Sequence, residues 1–159
     1  MAKKKSGVIY LVATPIGNID DISKRAKKIL AEADLVLCED TRVTGLLLSQ
    51  LQIKASLLSY HEHNEKSRLE EILGRLKAGE EIALVSDAGS PLISDPGASL
   101  VEMAIKENIT IRVLPGANAA LAALMGSGLK GGRFAFDGFI PARGKERKRY
   151  LKEIGRAHV

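Results

Sequence analysis

Residues 81–105 read EIALVSDAGSPLISDPGASLVEMAI, and this stretch decides the fold. It begins with a mostly apolar run of strand length and continues through twelve residues rich in Gly, Pro, Ser and Asp. Leu100, Val101, Ala104 and Ile105 then recur at helical spacing, with Pro96 and Gly97 at the helix opening. A further strand-like run at 110–114 completes one predicted βαβ unit. Working outward, residues 8–13 read as a buried strand. Asp20 or Asp21 is expected to cap a helix carrying Ile22, Ala26, Ile29, Leu30 and Ala33. Residues 35–38 predict a second strand, followed by a helix over about 42–51. Asn64 is the expected cap of a helix over 65–78, which Gly79 stops. A small-residue helix over 117–125 and a strand-like piece over 134–140 follow. Such regular alternation predicts an α/β fold, a mainly parallel sheet flanked by helices on both faces. Ligands of such sheets bind beyond the carboxyl ends of the strands.

The composition excludes several classes. With 45% hydrophobic and 27% charged residues in 159, the chain is expected to fold around a real core. No apolar run approaches the roughly 20 residues that span a bilayer, and the start lacks the apolar region and cleavage site of a signal peptide. The single cysteine, Cys38, lies in an apolar run, reads as a buried inert thiol and fits a reducing cytoplasm. The net charge of +5 is concentrated at Lys3, Lys4 and Lys5 and at 143–149, which favours a polyanionic partner such as RNA. With three Tyr, three Phe and no Trp, the sequence predicts no aromatic platform for stacking bases.

Three loops stand at predicted strand ends, at 13–18, 86–97 and 115–120, and each joins Gly to Pro and small polar residues. One such loop is ordinary turn chemistry, whereas three on one sheet point to a ligand cleft built from backbone groups. No G-x-G-x-x-G follows the first strand and no G-x-x-x-x-G-K-[ST] occurs, so neither phosphate-binding signature is present.

The strings VATPIGN at 12–18, CEDTR at 38–42, YHEHN at 60–64, ALVSDAGSP at 83–91, ISDPG at 93–97 and LPG at 114–116 closely resemble one family. It is the ribosomal RNA small subunit methyltransferase I family, the 16S rRNA cytidine 2′-O-methyltransferases of the tetrapyrrole methylase superfamily. The resemblance runs from about Gly7 to Leu151, with Ser90 where many relatives carry Thr. It implies two α/β domains with S-adenosylmethionine between them. It also implies cofactor contacts from Pro15, Ser86, Asp87, Ala88, Ile93, Asn118 and Ala119, a homodimer, small-subunit 16S rRNA as partner, and no metal. By this reading residues 1–6 are a basic tail and 7–115 the amino-terminal methylase domain. Residues 116–153 are a linker helix and the start of a second domain missing from this chain. The last six residues, IGRAHV, match the translation of a common sequencing adapter, so 154–159 are expected to be non-native.

A ribose hydroxyl is a poor nucleophile and gains from a nearby base. Glu39, Asp40 and Arg42 are the candidates: Asp40 to accept the proton, Arg42 to hold a phosphate. The same residues also read as a helix amino-terminal cap with its partner, and the sequence leaves both readings open. His61 and His63 have metal-like spacing but no third ligand in view, so an acceptor-side loop is the better reading. Residues 143–149 are a solvated helix face or an RNA contact. Two other functions compete: methylation of a tetrapyrrole macrocycle, and a non-catalytic RNA-binding or dimerisation fragment.

Overall fold

The computed structural model describes residues 7–129 and 132–156. The basic tail at 1–6 and the last three residues of the expected non-native tail lie outside them. Five strands form one parallel sheet: β1 (Val8–Val12), β2 (Leu35–Cys38), β3 (Leu57–Ser59), β4 (Glu81–Val85) and β5 (Thr110–Leu114), in the order β3-β2-β4-β1-β5. Among the described residues six α-helices accompany them: α1 (Lys24–Glu32), α2 (Thr41–Gln50), α3 (Glu65–Ala78), α4 (Ala98–Lys106), α5 (Ala119–Gly126) and α6 (Gly144–Arg156). No described helix is long and apolar enough to cross a membrane.

The two faces of the sheet follow from strand alternation. Ile9, Leu11, Leu37 and Leu84 point to one face, where Ile72, Leu73 and Leu76 of α3 and Leu100 and Ala104 of α4 pack on them. Val8, Tyr10, Val12, Val36 and Cys38 point to the other, covered by Ala26 and Leu30 of α1 and Leu48 of α2. Parallel strands buried on both faces read as continuous apolar runs, as they do here.

Four expectations need correction. Asp20 and Asp21 do not cap α1: they lie in a 3-10 turn (Ile19–Asp21) capped by Asn18, and Ser23 accepts the Ala26 amide at the true start. β3 went unseen in the sequence because it is three residues long and only half-buried. Asn64 precedes α3 but caps nothing with its side chain, which bonds the His61 amide and the Ser59 carbonyl instead. Residues 134–140 form no strand; they run without regular structure between α5 and α6.

Leu37 is fully buried at the centre of one core layer. Leu37→Ala is expected to cost about 2–5 kcal/mol in denaturant unfolding, through lost burial and the cavity left behind. Ser23→Ala, which removes only the α1 cap acceptor, should cost about 1 kcal/mol.

Candidate active site

The topology places one crevice. From β1 the chain passes to α1 on one face of the sheet, and from the adjacent β4 it passes to α4 on the other. Neighbouring strands whose connections leave toward opposite faces open a gap at their carboxyl ends. Across that gap Thr14 and Gly89 exchange backbone hydrogen bonds: Thr14 N–H to Gly89 O at 2.9 Å, and Gly89 N–H to Thr14 O at 3.1 Å. The buried Thr14 hydroxyl donates to Ser86 O at 3.1 Å, and Ser86 Oγ donates to Gly89 O at 3.2 Å. The loop after β4 is held in an unusual backbone path: Gly89, Leu92, Ser94 and Gly97 all have positive φ, between 68° and 120°. For Leu92 and Ser94 that conformation is strained and is a feature of functional loops. At Gly97 a Cβ would sit 2.7 Å from Leu84 Cδ2, so this turn can press on the core only as glycine.

Above the crevice is a hollow of about 210 Å3 whose lining includes Ile16, Ala88, Ile93, Asn118, Ala119 and Phe136. Four of the seven expected cofactor contacts, Ala88, Ile93, Asn118 and Ala119, therefore meet there. Pro15, Ser86 and Asp87 are not on its wall. Ser86 is buried under the loop, and Asp87 Oδ1 accepts the Asp40 amide at 3.2 Å. Asn118 Oδ1 is engaged as the α5 cap, accepting the Leu121 amide at 3.1 Å, and Ser90 Oγ donates to Ala117 O at 3.2 Å. The Ser90–Ala117 bond ties the loops after β4 and β5 into one wall.

A second hollow of about 340 Å3 adjoins the first through Ser94 and Asp95, and Glu39, Glu62 and Glu65 also line it. Asp95 stands between the two. Burial, reinforced by the charges of Glu39 and Asp87, raises its pKa above the ordinary carboxyl range. Neither Asp40 nor Arg42 borders either hollow. Asp40 caps α2, accepting the Arg42 amide at 2.8 Å, and its carboxylate also pairs with the Arg42 guanidinium, Nε at 3.0 Å. Those bonds lower its pKa to about 2. Sequence reasoning missed Asp95, because Ser-Asp-Pro-Gly is also ordinary turn chemistry, and it missed Phe136 and Phe139. The His61 and His63 rings meet edge to face at 5.9 Å, and His61 Nε2 lies 3.1 Å from Asn64 Nδ2. Among the described residues no group of three or more His, Cys, Asp or Glu is placed to hold a metal.

The sequence model of the tetrapyrrole (corrin/porphyrin) methylases matches residues 8–156. The chain belongs to this family. Ribosomal RNA small subunit methyltransferase I of Thermotoga maritima is 51% identical over 148 residues, covering 93% of this chain and 66% of that protein. The Escherichia coli O157:H7 protein of the same name is 48% identical over 153 residues, covering 96% and 54%. The chain thus spans about half to two thirds of the curated relatives it matches. Among solved structures, uroporphyrin III C-methyltransferase from Thermus thermophilus superposes with a TM-score of 0.56 at 21% identity, over 74% of this chain and 52% of that one. A cobalt precorrin-4 methyltransferase gives 0.59 at 24%, over 74% and 49%. At those identities the likeness is one of fold.

The first hollow is walled largely by small residues. Ala88, Gly89, Ser90 and Ala119 bring backbone to the surface with little side chain in the way, and a Cβ on Gly89 would stand 3.3 Å from Ile16. Because the Asp40 pKa is depressed from 3.8 to about 2, its contribution to stability is present above about pH 4 and is lost as the pH falls toward 2. A carbon-detected NMR titration should find its carboxyl ionised down to about pH 2. A midpoint near 4 would mean that the α2 cap and the guanidinium pair do not hold in solution.

Proposed function

We propose that this chain forms the cofactor-binding part of an S-adenosylmethionine-dependent methyltransferase whose substrate is the ribose 2′-hydroxyl of a cytidine in small-subunit 16S rRNA. The observation that carries the reading is the small-residue hollow at the β1/β4 crevice, in a chain about half identical to proteins named for ribosomal RNA methylation. Ala88, Ile93, Asn118 and Ala119 are the residues that would hold the cofactor. Pro15, Ser86 and Asp87 support them from behind, by shaping the loops. When bound, the cofactor supplies an electrophilic methyl group on a sulfonium.

In-line displacement leaves the protein two tasks: aligning the hydroxyl and taking its proton. Asp95 is the best-placed group for the proton, since it faces both hollows and burial makes it a stronger base than an ordinary carboxylate. Glu39 shares that wall. Asp40 is too weak a base at a pKa of about 2 to serve well, and it positions the start of α2 and the Arg42 guanidinium. The Arg42 side chain is 89% exposed and free to meet a phosphate with its remaining N–H groups. The basic residues of α6 add a second phosphate contact. Exposed Leu121, Met125 and Leu129 offer apolar surface for a second copy, in keeping with a homodimer, and the ribosomal substrate implies the cytoplasm.

The test is radiolabelled methyl transfer by this chain extended to the length of its relatives, with small ribosomal subunits and a free porphyrin precursor as competing acceptors. Label in 16S rRNA at a cytidine ribose is expected, and label in the porphyrin would overturn the reading. Asp95→Asn should lower turnover about 100-fold or more with cofactor affinity retained, whereas Asp40→Asn should cost less than about tenfold. RNA affinity should fall about tenfold or more between 50 and 200 mM salt, and a flat dependence would remove α6 from the interface.

A further inference from the structure

Among the described residues, three buried side-chain polar atoms lack a hydrogen-bond partner: Tyr60 Oη, His61 Nδ1 and Ser99 Oγ. All three belong to the surroundings of the acid hollow. Tyr60 and His61 directly precede Glu62 on one of its walls, and Ser99 follows Ala98 on another. Tyr60 is fully buried, and the side chains that act on its hydroxyl are Ser99 and Glu65, which places that oxygen between the starts of α4 and α3. The tautomer of His61 is set by Asn64. Asn64 Oδ1 accepts the His61 amide at 2.9 Å, which leaves Asn64 Nδ2 facing His61 Nε2 at 3.1 Å. Nε2 is then the acceptor, and the ring proton sits on the buried Nδ1 with nothing to receive it. A buried donor without a partner costs about 1–3 kcal/mol, and three gathered in one place mark a site whose partner comes from outside.

The hollow itself carries the opposite surplus. Glu39, Glu62, Glu65 and Asp95 line it, and among the described residues none of these four carboxylates forms an ion pair. They are not grouped to hold a metal. Every lining residue falls between 39 and 98, and at about 340 Å3 the hollow is of a size to receive one small flat group. Unused acceptors beside unused donors match the pairing edge of cytosine, where an amino group donates next to a ring nitrogen that accepts. Uracil reverses that order, with a carbonyl next to a ring N–H.

We propose that the acid hollow receives the base of the target nucleoside, with Glu65 accepting from the cytosine amino group and the Tyr60 hydroxyl donating to the ring nitrogen beside it. The proposal rests on the RNA reading given above and deepens it by naming what selects cytidine. Glu65 is the half-buried one of the three glutamates, whereas Glu39 and Glu62 are exposed, and it is the one whose charge reaches Tyr60. Asp95 borders both hollows, so a base seated among the glutamates leaves its ribose at the border where the methyl group arrives. The base is neutral, and its phosphates stay outside the carboxylate walls.

The experiment measures methyl transfer by this chain extended to the length of its relatives, on small subunits reconstituted with cytidine or uridine at the methylated position. Cytidine should be favoured about 100-fold or more, because a site built to bond an amino group rejects the analogue that lacks it. Glu65→Gln, whose amide can donate to a uracil carbonyl, should lower kcat/KM on cytidine about tenfold or more and raise it on uridine. Its S-adenosylmethionine affinity, measured by calorimetry, should be unchanged. Tyr60→Phe should raise KM for the subunits about fivefold or more without lowering the melting temperature, since the hydroxyl removed has no partner within the protein. An unaltered cytidine-to-uridine ratio in Glu65→Gln overturns the pocket, and so does a Tyr60→Phe protein that melts lower at unchanged KM. If the unsubstituted enzyme places no label in 16S rRNA, the RNA reading itself falls.

Discussion

The reciprocal backbone pair between Thr14 and Gly89 is the interaction on which the site depends. Strands β1 and β4 lie side by side, yet their chains depart to opposite faces, so nothing in the sheet itself holds the two loops together. The pair spans the gap, and the Thr14 and Ser86 hydroxyls brace it from below. With that closure fixed, the small residues from 88 to 90 are presented toward Asn118 and Ala119, and Asp95 is carried to the border of the two hollows. The Ser86 hydroxyl braces this loop beneath the hollow that Ala88 and Ile93 line.

Much of the fold was legible because its elements are strongly patterned. The strand at 8–12 reads as buried on both faces since both faces are covered, and the 3.6-residue repeat of Ile72, Leu73 and Leu76 placed α3. The parts that escaped were decided by tertiary partners. β3 exists because Val36, Leu37 and Cys38 offer it a ladder, and its own three residues carry too little pattern to announce it. Asp20 and Asp21 looked like the α1 cap because both residue types suit one, while the choice of Ser23 depended on where the 3-10 turn ended. In the site, loop composition pointed to a crevice at these strand ends, and the family resemblance named four residues that line the first hollow. Neither singled out Asp95, whose altered acidity comes first from burial and then from the charges of Glu39 and Asp87, all set by the fold.

Charge is divided across the molecule. Four carboxylates, Glu39, Glu62, Glu65 and Asp95, line the second hollow, while cations dominate α6. An anion approaching the molecule is drawn to the helix and turned away from the carboxylates. Burial, with the charges of Glu39 and Asp87, raises the proton affinity of Asp95 above that of an ordinary carboxylate.

The diverted Asn64 side chain leaves the acid hollow between two helix starts that lack a side-chain cap. At the start of α3 the amides of Lys66 and Ser67 receive no acceptor from Asn64, and at the start of α4 the cap position is Gly97, which has no side chain to offer one. Such orphan amides give a helix start a partial positive charge. Glu62, Glu65, Glu39 and Asp95 therefore meet where the backbone itself offsets part of the negative charge they bring together.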